Sequence, residues 1–252
     1  MTSRGISNNY NFSSPTVNAG ETTYAVPFST RGVPIVSKYV LRAMEMKQMA
    51  QVLHPEPHNT SRRTVVLHGL GGSGKTQLAI EFARKHAEDF TARFWLNAQT
   101  EETVRQSIVN VAKQLPPEQI LEKAMKGHQK TVEEVDETIQ EVLKWFGKPK
   151  NSRWLIIYDN VDRESTVNPL ELGAYSLEQY LPPWDCGSVI ITTTLSQLQR
   201  QGQGIKISSM TREEGLQLLG QHLGVSVAGK GHCLGYSAAT RNADRHRQSS
   251  RP

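Results

Sequence analysis

The chain has little of what would mark it for the cell exterior, the membrane or nucleic acid. Cys186 and Cys233 are its only cysteines in 252 residues. They lie far apart, which excludes a disulfide framework and a paired metal site and fits a reducing compartment. Long hydrophobic runs are missing too. The longest, Trp154-Leu-Ile-Ile-Tyr158, has five residues, against the ~18 that a membrane-spanning helix needs. The first thirty residues are polar, without the apolar stretch behind a basic start that makes a secretory leader. The expectation is a cytoplasmic protein with no membrane partner.

Excess charge is scarce once it is located. The formal net charge is +5, but residues 229–252 hold Lys230, Arg241, Arg245, Arg247 and Arg251 against Asp244 alone. The other 228 residues carry 24 basic and 23 acidic side chains. A near-neutral globular part offers no footprint for nucleic acid, and a basic tail without an apolar period reads as a disordered, solvated end.

What is present is alternation. Residues 1–33, rich in Ser, Thr, Asn and Gly, read as a disordered lead-in. Helix-compatible sequence follows from Ile35 to Leu53, broken by Pro55-Glu-Pro-His-Asn-Thr-Ser61. Thr64–His68 and Arg93–Asn97 read as strands, with a helix from Thr76 to about Phe90 between them. Glu101–Leu115 and Thr131–Phe146 carry apolar residues at spacings of three and four, the mark of amphipathic helices. Trp154–Tyr158 and Ser188–Thr192 read as apolar strands of the kind buried on both faces. A short strand at Ile205–Ile207 and a helix at Thr211–Leu219 complete the series. Strands alternating with helices predict an α/β sandwich around a parallel sheet. Beyond His222 the pattern stops. The expected division is a lead-in at 1–33, a nucleotide-binding domain at 34–208, the first helix of a helical subdomain at 209–222 and a tail at 223–252.

The residues that carry chemistry begin with Gly69-Leu-Gly-Gly-Ser-Gly74-Lys75-Thr76, a complete G-x-x-x-x-G-K-[ST] between a strand and a helix. Gly69, Gly71, Gly72, Ser73 and Gly74 let the backbone close around a phosphate with its amides inward, and the following helix N-terminus adds positive potential. Lys75 would reach the β- and γ-phosphates, and the Thr76 hydroxyl would be a Mg²⁺ ligand. Gly224-Val-Ser-Val-Ala-Gly229-Lys230 fits the spacing, but Gly231 stands where the hydroxyl belongs and no helix follows. Asp159, at the tip of the Trp154–Tyr158 strand, is placed to hold Mg²⁺. Next comes Asn160, whose amide cannot accept a proton from water, so Asp162 is the remaining carboxylate for that task. His68 reads as a strand-end residue, and Trp95, Trp145, Trp154 and Trp184 as core.

The order of these motifs resembles the NB-ARC family of STAND nucleotide switches, the engine of NOD-like receptors. The likeness covers Val40–Leu219. It rests on Gly69 to Ala79, including Gln77; on Phe94-Trp-Leu-Asn-Ala98; and on Leu155-Ile-Ile-Tyr-Asp-Asn-Val-Asp162, in the form common in fungal members. Further blocks are Tyr180-Leu-Pro-Pro183, Gly187-Ser-Val-Ile-Ile-Thr-Thr193 and Met210–Leu219. The resemblance implies a three-layer P-loop NTPase fold, ADP at rest and ATP when active, and a conformational change that exposes an oligomerisation surface. Its partners would be further copies or other NOD-like receptor chains in innate immunity. It also implies that Val40 and Arg42 flank the adenine, although Leu41 replaces the family's glycine.

Three departures qualify that picture. Thr194 occupies the place of the arginine that reads the γ-phosphate, and a hydroxyl cannot supply its charge. The Gly-Leu-Pro-Leu and Met-His-Asp blocks are missing, so the sequence reads as a truncated member. The expected function is an ADP- or ATP-binding switch with weak or no hydrolysis. The alternative is a working P-loop ATPase or kinase, for which no arginine-bearing lid is evident between the third and fourth strands.

Overall fold

The computed structural model describes residues 24–29, 32–34, 36, 39–40, 42–55, 61–122 and 131–223. The expected tail, the chance motif at 224–231 and Leu41 fall outside them. Five parallel strands form one sheet: β1 (Arg63–His68), β2 (Ala92–Asn97), β3 (Trp154–Asp159), β4 (Ser188–Thr193) and β5 (Gln203–Lys206). Their spatial order is β2-β3-β4-β1-β5. β4 therefore lies between β1, which leads into the glycine-rich loop, and β3, which ends in Asp159.

Alternate residues of each strand serve different layers. Val65, Leu67, Leu155, Ile157 and Ile190 meet α1 (Ala43–Leu53) and α2 (Lys75–Lys85) on one face. Val66, Phe94, Leu96, Ile156, Tyr158, Val189 and Ile191 meet α3 (Glu101–Ala112) and α4 (Val132–Phe146) on the other. All six residues of β3 and all six of β4 are buried, which is why those segments carry no polar alternation. The result is the expected α/β sandwich.

α3 and α4 open with capping boxes, Thr100 with Thr103 and Thr131 with Glu134. α2 does not: its N-cap is Gly74, with no side-chain cap, so its first amides have no partner from a capping side chain.

The expected lead-in is too long. Val26 forms a parallel bridge with Ala92 and donates its N–H to Thr91 O at 3.0 Å, while Tyr24 meets the Trp145 ring edge-on at 5.7 Å. Phe28 lies under the Arg93 guanidinium on the other side of the β2 edge. The segment thus wraps that edge through backbone pairing and single apolar contacts, which leave no period to read. α1 starts at Ala43 rather than Ile35, because Arg42 departs from helical geometry (φ −90°, ψ 80°). α2 ends at Lys85, five residues before Phe90; there His86 Nδ1 and Asp89 Oδ2 close a turn at 2.7 Å.

The chain divides after Met210. The second unit is described through α5 (Arg212–Leu223), which Thr211 and Glu214 open with reciprocal hydrogen bonds of 2.8 and 3.2 Å. Among the described residues no helix is long and apolar enough to cross a membrane.

Candidate nucleotide-binding site

The glycine-rich loop leaves β1 at the C-terminal edge of the sheet. Gly69 is required there by a close approach: a Cβ on it would lie 2.2 Å from Ile207 O. Ile207 in turn donates its N–H to His68 O at 2.7 Å, just past β5. Gly72 and Gly74 take left-handed backbone angles, φ 75° and 91°. Gly71 faces open space.

Lys75, 7% exposed, folds back so that Nζ donates to Gly69 O (2.9 Å) and Leu70 O (2.8 Å). Burial lowers its pKa from the ordinary lysine value, opposed by the charges of Asp162 and Asp159. The Ser73 hydroxyl is shut from solvent without a hydrogen-bond partner. Loop and lysine form a cationic nest with spare donors.

Asp159 is 1% exposed. Its Oδ1 accepts from Thr76 Oγ1 at 2.7 Å and from Thr192 Oγ1 at 2.6 Å. The Thr192 hydroxyl also accepts the Asn160 N–H at 2.9 Å, which settles Asn160 in a left-handed conformation, φ 64°. Burial raises the Asp159 carboxyl above its usual range, opposed by Thr192, Thr76 and the Trp95 indole as donors and by the Lys75 charge. The indole acts at a distance: neither its Nε1 nor Asp159 Oδ2 completes a hydrogen bond of normal geometry.

Asp162 is held by the end of β4. Its Oδ1 accepts from Thr194 N (2.6 Å), Thr194 Oγ1 (2.9 Å) and Thr193 Oγ1 (3.3 Å). Thr194 therefore braces this turn.

The structure thus brings Gly69–Gly74, Lys75, Thr76, Asp159 and Asp162 together. Gln77 turns away and donates to Pro34 O. Val40 and Arg42 are buried, and Arg42 Nη2 donates to Ser208 O at 2.9 Å. Ile207 and Ser208 therefore link the first glycine of the loop to Arg42. Two residues escaped the sequence reading. Thr192 was hidden in an apolar strand, where a polar pair just before the strand end was its only signal. Trp95, read as core, does pack against the α1–α2 layer, but it also turns its N–H toward buried polar ground.

A parallel sheet with a phosphate-type loop at its C-terminal edge and a buried aspartate two strands away, across β4, defines a P-loop nucleotide-binding domain. The family model described as the NB-ARC domain matches residues 42–226, and the chain belongs to that family. A nucleotide-binding leucine-rich repeat (NLR)-like protein of Hyaloscypha variabilis is 26% identical over 212 residues, covering 78% of this chain and 19% of that protein. The chain thus spans about a fifth of that relative's length. Among solved structures, Cdc6p of Pyrobaculum aerophilum is similar at TM-score 0.49 and 12% identity, covering 77% of this chain and 53% of that one. A STAND protein with a tetratricopeptide repeat sensor from Pyrococcus horikoshii is similar at TM-score 0.42 and 20% identity, covering 75% of this chain and 26% of that one.

Proposed function

We propose that this domain is the adenine-nucleotide switch of a cytoplasmic NOD-like receptor of innate immunity, binding ADP or ATP with Mg²⁺ and hydrolysing it weakly or not at all. The observation that carries the reading is the Lys75–Thr76–Asp159 constellation at the uncapped start of α2. Gly69–Gly74 and the first amides of α2 would surround the phosphates, and Lys75 would exchange two loop carbonyls for phosphate oxygens. Val40 and Arg42 would flank the adenine, and Gln77 would hold the N-terminal segment at the start of α2.

A divalent ion fits the donor set. Asp159 keeps one buried oxygen without a partner, and the Thr76 hydroxyl stands beside it. Among the described residues no group of three or more His, Cys, Asp or Glu could hold a metal by itself, so the phosphates would supply part of its shell, as is usual for Mg²⁺. When bound, the ion neutralises phosphate charge.

Weak turnover is supported by the residues beside Asp159. Asn160 cannot take a proton from water, and Asp162 commits an oxygen to Thr193 and Thr194. We assign Asp162 to bracing the end of β4. The alternative, an active ATPase or kinase, would require a base that none of these residues readily provides. Likeness to the NLR-like protein supports placing the domain in a longer receptor. We propose that it meets other copies of itself there.

Calorimetric titration with ADP and with ATP in Mg²⁺, set beside Lys75→Ala, tests the reading. Binding that is lost in the variant, with phosphate release near background, is the expected result. No binding by the folded chain would overturn the nucleotide reading, and turnover that dies with Lys75→Ala would favour the enzyme.

A further inference from the structure

Beside Thr76 and Thr192, the candidate site holds an unmatched donor and an unmatched acceptor. Asp159 spends Oδ1 on both hydroxyls, while Oδ2 is sealed from solvent without a partner. Trp95 Nε1 is sealed in the same way. Sheet register explains why these two groups are close. β2 and β3 run parallel, with Trp95 opposite Ile157 and Asn97 opposite Asp159. Side chains alternate along a strand, so Trp95, Ile157 and Asp159 all project into the α1–α2 layer. Trp95 and Asp159 are then diagonal neighbours on one face, a separation that aromatic side chains bridge. Burying a lone donor or a lone carboxylate oxygen is costly, and here each is the complement the other lacks. Apo sites commonly leave such contacts long and close them on ligation.

We infer that Trp95 is a positioning residue for the Mg²⁺ carboxylate: its indole N–H engages one lone pair of Asp159 Oδ2, so that the carboxylate is fixed in one orientation and the other lone pair of that oxygen stays available to the ion. The inference rests on the reading of Asp159 as the Mg²⁺ carboxylate. Trp95 touches neither nucleotide nor metal and acts through Asp159. Its hydrophobic body stays in the α1–α2 layer, so removing only the N–H should leave the fold and metal-free nucleotide binding intact.

The test compares the full chain with Trp95→Phe and with a chain carrying benzothienylalanine at position 95, in which sulfur replaces the N–H in a ring of the same shape. ADP is titrated by calorimetry in Mg²⁺ and in EDTA, and tryptophan emission is recorded in both. Affinity in EDTA is expected to stay within about twofold of wild type, while the Mg²⁺-dependent gain falls about tenfold, the usual cost of losing an outer-shell partner. Wild-type emission should differ between ADP with Mg²⁺ and ADP with EDTA, and that difference should vanish in Trp95→Phe. An undiminished Mg²⁺ gain in the variants, or an equal loss in EDTA, overturns the inference and leaves the nucleotide site standing. A wild-type chain that binds ADP equally well in Mg²⁺ and EDTA overturns the metal reading itself, and the inference with it. Should Trp95→Phe fail to fold, the benzothienyl isostere, which preserves packing, decides.

Discussion

Replacing Thr192 with valine tests the site's geometry without any ligand. The two side chains are nearly the same size and position 192 is fully buried, so the change opens no cavity and isolates the hydroxyl. That hydroxyl donates to Asp159 Oδ1 at 2.6 Å and accepts the Asn160 N–H at 2.9 Å. A hydrogen bond to a charged group is worth about 1.5–3 kcal/mol, and a buried donor left unpaired costs about 1–3 kcal/mol. The Asn160 amide is only part-buried, so water recovers some of its loss, and the lower half of each range applies. The expected cost is about 3 kcal/mol, a large share of the roughly 5–15 kcal/mol that holds a domain folded. With a urea m-value of about 2 kcal/mol/M, the midpoint falls by about 1.5 M. Thr192→Ser keeps the hydroxyl and should lose only about 1 kcal/mol of methyl packing. A valine variant within about 0.5 kcal/mol of wild type would refute the claim that Thr192 holds Asp159.

Two further outcomes follow from geometry and charge. Gly69→Ala should cost about 3 kcal/mol, because its Cβ meets Ile207 O at 2.2 Å, whereas Gly71→Ala, facing open space, should melt with wild type; equal melting of both variants would sink the close-approach argument. His68 is held below the ordinary histidine range, first by burial and then by Lys206 and Lys75. As pH falls through 6.5, the ordinary value, the unfolded chain therefore takes up a proton that the folded chain resists, and stability drops; above that pH the group contributes nothing. His68→Gln should flatten the stability loss between pH 7 and 5, and identical slopes in urea unfolding would count against it.

The sheet was legible because strands buried on both faces carry continuous apolar stretches rather than polar alternation, as Trp154–Tyr158 and Val189–Ile191 do. The loop was legible because left-handed angles at Gly72 and Gly74, and the contact at Gly69, leave few other residue types. What escaped depends on parallel pairing between distant segments. Thr192 reaches Asp159 across 33 positions of chain, and Trp95 shares its face only through the β2–β3 register. Arg42 owes its burial to a carbonyl 166 positions away, which no local pattern announces. The segment around Val26 joins the sheet edge by its backbone, so its side chains carry little signal.

The strand order also sets a timetable for synthesis. β1 pairs only with β4 and β5, so Arg63 waits for Ser188, 125 positions later. At about 5–20 residues per second, the glycine-rich loop stays without its supporting strands for roughly 6 to 25 seconds. During that interval β2 and β3, whose separation in the chain is shorter, can already pair. The nucleotide pocket is thus the last part of the body to become whole, and a nascent chain cannot use its ligand as a template before β4 has left the ribosome.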